Sequence, residues 1–236
     1  MQRFSVLDLN ESIIENEILD NIERNSKNRD ILIVKLVHRI LANEIAYDAF
    51  QTCVGSYRFR RRYLQSIEIL PNSKIVELGC GTGITLKTIR NNDYIGIDLS
   101  ANYLERASRR KNFSTLIKGD VALSKTYENL TTKKNDVVLA LALWHHLDDD
   151  QMVQTLENVY KISEEGTSIF SLDPFVDDNT GISATWIAKN DRGKYLRSAG
   201  HLKEISEAAG FRFAHEISRR ELYIPTNVIK CTFRKL

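Results

Sequence analysis

Three short segments hold residues whose types and spacing can do chemistry. The first is Val76-Glu77-Leu78-Gly79-Cys80-Gly81-Thr82-Gly83. Its glycines allow backbone torsions and close approaches that a Cβ forbids. A ligand can then sit against the exposed amides at a helix start. The second is Gly96-Ile97-Asp98-Leu99-Ser100, with Asp98 fifteen residues after Gly83. A carboxylate at a strand end there can accept hydrogen bonds from two ribose hydroxyls. The third is Gly119-Asp120-Val121, whose acid can accept from an exocyclic amine such as that of adenine. Together they imply a cofactor that contains a nucleoside.

Two classes of cofactor use glycines followed by an acid. A dinucleotide site prefers Gly-x-Gly-x-x-Gly, because pyrophosphate must approach the helix N-terminus. Here the third glycine, Gly83, comes one residue early, and Ile84 stands in the dinucleotide position. Glu77 lies two residues before the first glycine. A carboxylate is unhelpful beside pyrophosphate but useful beside an ammonium group.

A further constellation follows the most apolar stretch of the chain. Trp144-His145-His146-Leu147 should face the cleft at the end of a central strand. A histidine titrates near neutral pH and can take a proton from a substrate. The alternative is a packed ring that only shapes the pocket. Asp173 is expected at the end of the next strand, where it either orients a substrate or forms a turn before Pro174. No metal site is expected. Adjacent histidines rarely converge on one ion, and Asp148–Asp150 suit a helix N-terminus.

The elements that must position these residues can be read from periodicity. Before residue 70 the pattern is helical. Ile13, Ile14, Ile18 and Ile22 recur at three- and four-residue steps, and Ile33 to Phe50 and Tyr57 to Ile67 make two further helices. After Pro71, strands Lys74–Leu78, Tyr94–Asp98, Ser114–Lys118, Asp136–Leu143 and Thr167–Leu172 alternate with helices, among them 84–90 and 101–111. Asp148 and Gln151 form a capping-box pattern before the helix that buries Met152, Val153, Leu156 and Val159. Such alternation means βαβ units and a parallel sheet. The last two strands, Phe211–Ile217 and Tyr223–Phe233, have too short a connection for a parallel crossover. The expected fold is α/β, a Rossmann-like doubly wound, mostly parallel sheet with an antiparallel C-terminal strand. Residues 1–70 form an N-terminal helical extension and residues 71–236 the cofactor domain.

The segment Val76–Gly83, with Asp98, Gly119-Asp120 and 136–147, resembles class I S-adenosylmethionine-dependent methyltransferases. The resemblance runs from about Lys74 onward and implies seven strands, the last antiparallel. It implies that Gly79, Cys80 and Gly81 line the methionine moiety and that Glu77 organises that end. Asp98 would hold the ribose hydroxyls, with Leu99 against adenine. Asp120 and Val121 would meet the adenine edge, and Leu141 would lie near the sulfonium. Of the two histidines, the resemblance favours His146 over His145 as the base. A base is optional, since the leaving group is neutral and positioning supplies much of the acceleration. Arg58–Tyr63, Leu172-Asp173-Pro174 and Asp191–Arg197 resemble a bacterial subset linked to surface-polysaccharide and secondary-metabolite genes.

The resulting expectation is a methyltransferase that uses S-adenosylmethionine on an oxygen or nitrogen of a polar small molecule, a sugar or another metabolite. The alternatives are an NAD-dependent oxidoreductase and an inactive cofactor-binding or interaction protein of the same fold. Composition narrows the partners. Thirty-three basic and 31 acidic residues leave a net charge of +2, which argues against a bulk polyanion binder such as an RNA enzyme. Arg58, Arg60, Arg61 and Arg62 nevertheless form a local basic cluster, suited to the cofactor carboxylate or an acidic acceptor. Three cysteines without metal spacing, no apolar leader and no run of ~20 apolar residues point to a cytoplasmic protein without membrane spans. A homodimer is left open.

Overall fold

In the computed structural model the chain divides into two compact units, Met1–Gln51 and Thr52–Leu236. The structure describes residues 55–89, 93–110, 114–132, 136–181, 185, 188, 193–219, 222 and 226–235. The helices expected before residue 55 lie outside the described residues.

The larger unit is built on one seven-stranded sheet, ordered β3-β2-β1-β4-β5-β7-β6. Its strands are β1 (Lys74–Leu78), β2 (Asp93–Asp98), β3 (Ser114–Lys118), β4 (Val137–Leu141), β5 (Ser168–Phe175), β6 (Phe211–Arg219) and β7 (Asn227–Lys235). β1 to β5 pair in parallel. β7 runs antiparallel between β5 and β6. The order reverses at β1, which has β2 on one side and β4 on the other. In doubly wound sheets ligands bind outside the carboxyl ends of the strands at such a point.

Side chains alternate between the two faces, as the strand period requires. From β4, Val138 and Ala140 join one apolar cluster with Met152, Leu156 and Val159 of helix α3 (Asp149–Ile162) and Leu202 and Ile205 of helix α4 (Ala199–Ala208). Val137, Leu139 and Leu141 join the other, with Phe59, Tyr63 and Leu64 of helix α1 (Ser56–Ser66). Leu104 of helix α2 (Ala101–Ser108) belongs to that second cluster. The helix expected over 57–67 thus covers one face of the sheet and belongs to the sheet's own unit.

Several boundaries differ from expectation. The helix over 84–90 is a 3₁₀ turn, Ile84–Lys87. β-Branched Ile84, Thr85, Thr88 and Ile89 favour helix weakly, and the Thr85 hydroxyl is drawn to Glu77. β4 is shorter than 136–143. Asp136 instead accepts from the Lys74 amide at 2.8 Å, and Ala142 ends the strand at a φ of 61°. β5 continues past Leu172 to Phe175 because β7 pairs with it up to that residue. The capping box is present, with Asp148 accepting from the Gln151 amide at 2.8 Å and Gln151 from the Asp148 amide at 3.0 Å.

Candidate active site

The glycine turn after β1 is tied to the end of β2. Cys80 donates its amide to Ile97 at 2.9 Å, and Gly81 donates its amide to Asp98 Oδ2 at 2.8 Å. Asp98 Oδ1 accepts from the Ser100 amide, also at 2.8 Å. Ser100 in turn caps α2 by accepting from the Tyr103 amide at 3.3 Å. Two amides therefore orient the carboxylate, and each oxygen keeps a further lone pair. A Cβ at Gly81 would meet no atom within 4 Å, so a ligand has room beside the turn. At Gly83 the constraint is packing. Its φ is 68°, and a Cβ would come within 2.9 Å of the Ala107 Cβ on α2.

Leu99 follows Asp98 and is 69% exposed. A large apolar side chain left that open beside a polar turn suits a flat apolar ligand face. Asp120 lies one strand further, after β3. Its Oδ1 accepts from the Ala122 amide at 2.9 Å and its carbonyl from Thr126 Oγ1 at 2.6 Å. Val121 is buried, and its carbonyl accepts from Tyr127 Oη at 2.8 Å.

Glu77 sits differently from the other acids. It points from β1 into the cluster that contains Tyr63 and Tyr94 and is fully buried. Thr85 donates to Oε1 at 2.8 Å and Tyr94 to Oε2 at 2.5 Å. Burial pushes its carboxyl above the ordinary range, against the pull of Tyr94 and of the nearby Arg60 guanidinium. Glu77 thus braces the turn from behind, through Thr85 in the turn that follows it. Cys80 is buried as well, and burial raises its thiol far above the ordinary value.

Beyond β4 the chain turns sharply. Ala142 holds a positive φ, and its amide donates to the Leu172 carbonyl at 2.7 Å. A 3₁₀ turn, Trp144–His146, follows. It separates the two histidines. His145 is buried, and its Nδ1 lies 2.8 Å from Asp173 Oδ1 on β5. Its amide also donates to that oxygen at 3.2 Å. His146 is exposed, with its ring centroid 4.1 Å from that of His145. Burial pushes the Asp173 carboxyl up, and the bonds from His145 pull it back. Among the described residues, none is within hydrogen-bonding geometry of the buried Asp173 Oδ2.

Leu141, the last residue of β4, is buried, and its carbonyl accepts from Arg60 Nη2 at 3.4 Å. Arg58, Arg61 and Arg62 are exposed. From the cluster read in the sequence, Arg60 reaches this end of the sheet. The sequence gives no sign that the hydroxyls of Tyr94 and Thr85 belong to the site. Each is a single side chain in an apolar or turn segment, and nothing local marks it as a partner of Glu77. Arg197 and Gly193, which pack on the His145 turn, lie in a stretch singled out by resemblance but without a role. Among the described residues no group of three or more His, Cys, Asp or Glu could hold a metal ion.

A sheet that reverses at β1, a glycine turn after that strand and an acid ending β2 define a nucleoside-binding doubly wound domain. Residues 76–169 match the family model described as "Methyltransferase domain". That stretch is therefore similar to a methyltransferase domain, and the sheet has the class I S-adenosylmethionine-dependent methyltransferase fold. No curated protein sequence matches the chain.

Solved structures agree on the fold. Human N-acetylserotonin methyltransferase, solved with S-adenosylmethionine, superposes with a TM-score of 0.62 at 17% identity over 83% of this chain and 57% of that one. The mitomycin 7-O-methyltransferase gives 0.61 at 15% identity over 77% and 54%. A TehB-like methyltransferase from Corynebacterium glutamicum gives 0.53 at 14% identity over 76% and 88%. The chain therefore spans little more than half of the first two proteins. No helix among the described residues is long and apolar enough to cross a membrane.

Proposed function

We propose that this protein transfers a methyl group from S-adenosylmethionine to an oxygen or nitrogen of a polar small molecule. The observation that carries the reading is the Asp98 carboxylate. It is oriented by the Gly81 and Ser100 amides and lies beside the exposed Leu99. A carboxylate with lone pairs to spare suits two ribose hydroxyls, and Leu99 suits the adenine face. Asp120 and Val121 take the adenine edge in this reading. Gly79, Cys80 and Gly81 line the methionine moiety, with Leu141 near the sulfonium. Arg60 supplies the positive charge at that end. Bound S-adenosylmethionine supplies an electrophilic methyl group with a neutral leaving group.

The protein's part is to position the acceptor and move its proton. His145 is the base and Asp173 its partner. An ionised Asp173 accepts from Nδ1–H, which leaves Nε2 with the lone pair that takes a proton. The exposed His146 stands beside this pair and is the second candidate. Neighbours of the same fold support oxygen and nitrogen acceptors. One is a 7-O-methyltransferase of mitomycin, and another is a phosphoethanolamine N-methyltransferase from Haemonchus contortus. That second chain matches with a TM-score of 0.63 at 13% identity over 84% of this chain and 58% of that one. Cys80 and Cys231 are both free and buried, which suits the reducing cytoplasm.

The test has two arms. Calorimetry should show binding of S-adenosylhomocysteine and none of NADH. The reverse result sinks the reading in favour of an oxidoreductase. Methyl-labelled S-adenosylmethionine, incubated with the protein and a small-molecule extract that includes nucleotide sugars, should yield a labelled product. Cofactor binding without any product supports an inactive member of the fold.

A further inference from the structure

The segment from Gly193 to Arg197 is laced to the turn that carries His145. Arg197 is buried, and its guanidinium makes bonds along that turn. Nη1 donates to the Trp144 carbonyl at 2.7 Å, Nη2 to the Leu147 carbonyl at 2.7 Å and Nε to Asp149 Oδ1 at 2.8 Å. These acceptors stand on both sides of His145 in sequence. The Tyr195 amide donates to the His145 carbonyl itself at 3.1 Å. Gly193 closes on the ring. A Cβ there would lie 1.8 Å from His145 Cδ2, 2.6 Å from Cγ and 2.7 Å from the carbonyl oxygen. No other residue type fits without moving the imidazole.

We propose that Gly193 and Arg197 are positioning residues that hold the His145 ring on Asp173. The inference rests on the base assigned above. Asp173 holds the ring itself through Nδ1, and an imidazole can still swing about its χ angles. The strap removes that freedom. Arg197 fixes the turn through the carbonyls of Trp144 and Leu147, and Gly193 leaves only a hydrogen's width over the ring. A guanidinium suits this task because its planar fork reaches three acceptors at once, which an ammonium on a flexible stem does not reproduce.

Several of the described groups face His145. Asp173 contacts Nδ1 from β5, and His146 stacks from the same turn. Arg197 approaches through the backbone carbonyls. Cys231 on β7 and Tyr63 on α1 interact electrostatically with Asp173.

Gly193→Ala and Arg197→Lys in the full chain test the proposal. Two-bond proton–nitrogen spectra of histidine-labelled protein read the tautomer of His145 directly, without an acceptor. Wild type should show a single Nδ1–H tautomer. Both variants should bind S-adenosylhomocysteine as wild type does and show mixed tautomers at His145. Transfer to the extract should fall about 100-fold, the loss expected when a reacting group is misplaced by ~1 Å. Gly193→Ala removes no side-chain hydrogen bond and decides the matter should Arg197→Lys fail to fold. Unchanged His145 spectra in the folded variants overturn the strap and leave the base standing. A His145→Ala variant that transfers at the wild-type rate overturns the base, and the strap's purpose with it.

Discussion

Asp98 and Gly81 tie the first two strands of the sheet together at their carboxyl ends. The Asp98 carboxylate, at the end of β2, accepts the Gly81 amide at 2.8 Å from the turn after β1. A group that binds one therefore senses the other, and the predictions start from this pair.

Asp98→Ala removes the acceptor for two backbone amides and the carboxylate proposed for the ribose. Hydrogen bonds to a charged group are worth about 1.5–3 kcal/mol each. Losing two to the ligand should weaken S-adenosylhomocysteine binding by at least ~100-fold. Circular dichroism should show an intact fold. Calorimetry checks the prediction, and unchanged affinity would place the ligand elsewhere.

Glu77 makes stability depend on pH. Burial raises its folded-state value above the ordinary 4.5, so folding favours the neutral form. The stabilisation is complete below that ordinary value and is lost as pH rises through the raised one. Asp173, raised from 3.8, acts in the same direction. Glu77→Gln keeps the shape and removes the charge. Its melting temperature should match or exceed wild type at pH 8 and decline less between pH 4 and 8. A lower value at pH 8 would count against a disfavoured buried charge. Tyr94→Phe should instead cost about 1–3 kcal/mol, because it strips a donor from a buried carboxylate.

Asp173→Asn tests the proton path. The amide can present its NH₂ to Nδ1 and so select the other tautomer of His145. Methyl transfer should fall about 10²–10⁴-fold, while S-adenosylhomocysteine binding should be unchanged. Transfer from the labelled donor measures the first effect and calorimetry the second. Equal losses in both would make Asp173 a structural residue.

Gly83→Ala should destabilise the domain by about 2 kcal/mol or more. The left-handed torsion of 68° and the 2.9 Å approach to Ala107 both act against a side chain. Urea unfolding reads the change.

Ala142→Gly should do the opposite. Ala142 holds a φ of 61° where a Cβ is strained. Relief of that strain is worth about 1 kcal/mol. A variant less stable than wild type would show that the Ala142 methyl contributes more packing than its torsion costs.

Much of this site is legible in short windows of sequence. Glycines at 79, 81 and 83, an acid fifteen residues later and another after the third strand need only local spacing and strand period. The Asp148–Gln151 capping box is likewise a four-residue signal, and it stands as read. The expected 84–90 helix is instead a 3₁₀ turn, because β-branched residues favour helix weakly and the Thr85 hydroxyl bonds to Glu77, a partner outside any local window.

What the sequence by itself determined is the set of chain-local features: the alternation of strands and helices, the glycine turn and the acids at the strand ends. Backbone period and capping act within a turn or two, so they can be read without neighbours. Only the tertiary structure decided which side chains meet. It turned Glu77 into the apolar face between Thr85 and Tyr94, and brought Tyr63 Oη to the Ser171 carbonyl at 3.0 Å. It buried His145 rather than His146 against Asp173, 28 residues away, and Arg197 against Leu147, 50 residues away. Adjacent residues on a 3₁₀ turn point in different directions. Which of two histidines faces the core thus depends on the strand and strap packed against it, and no local pattern encodes that choice.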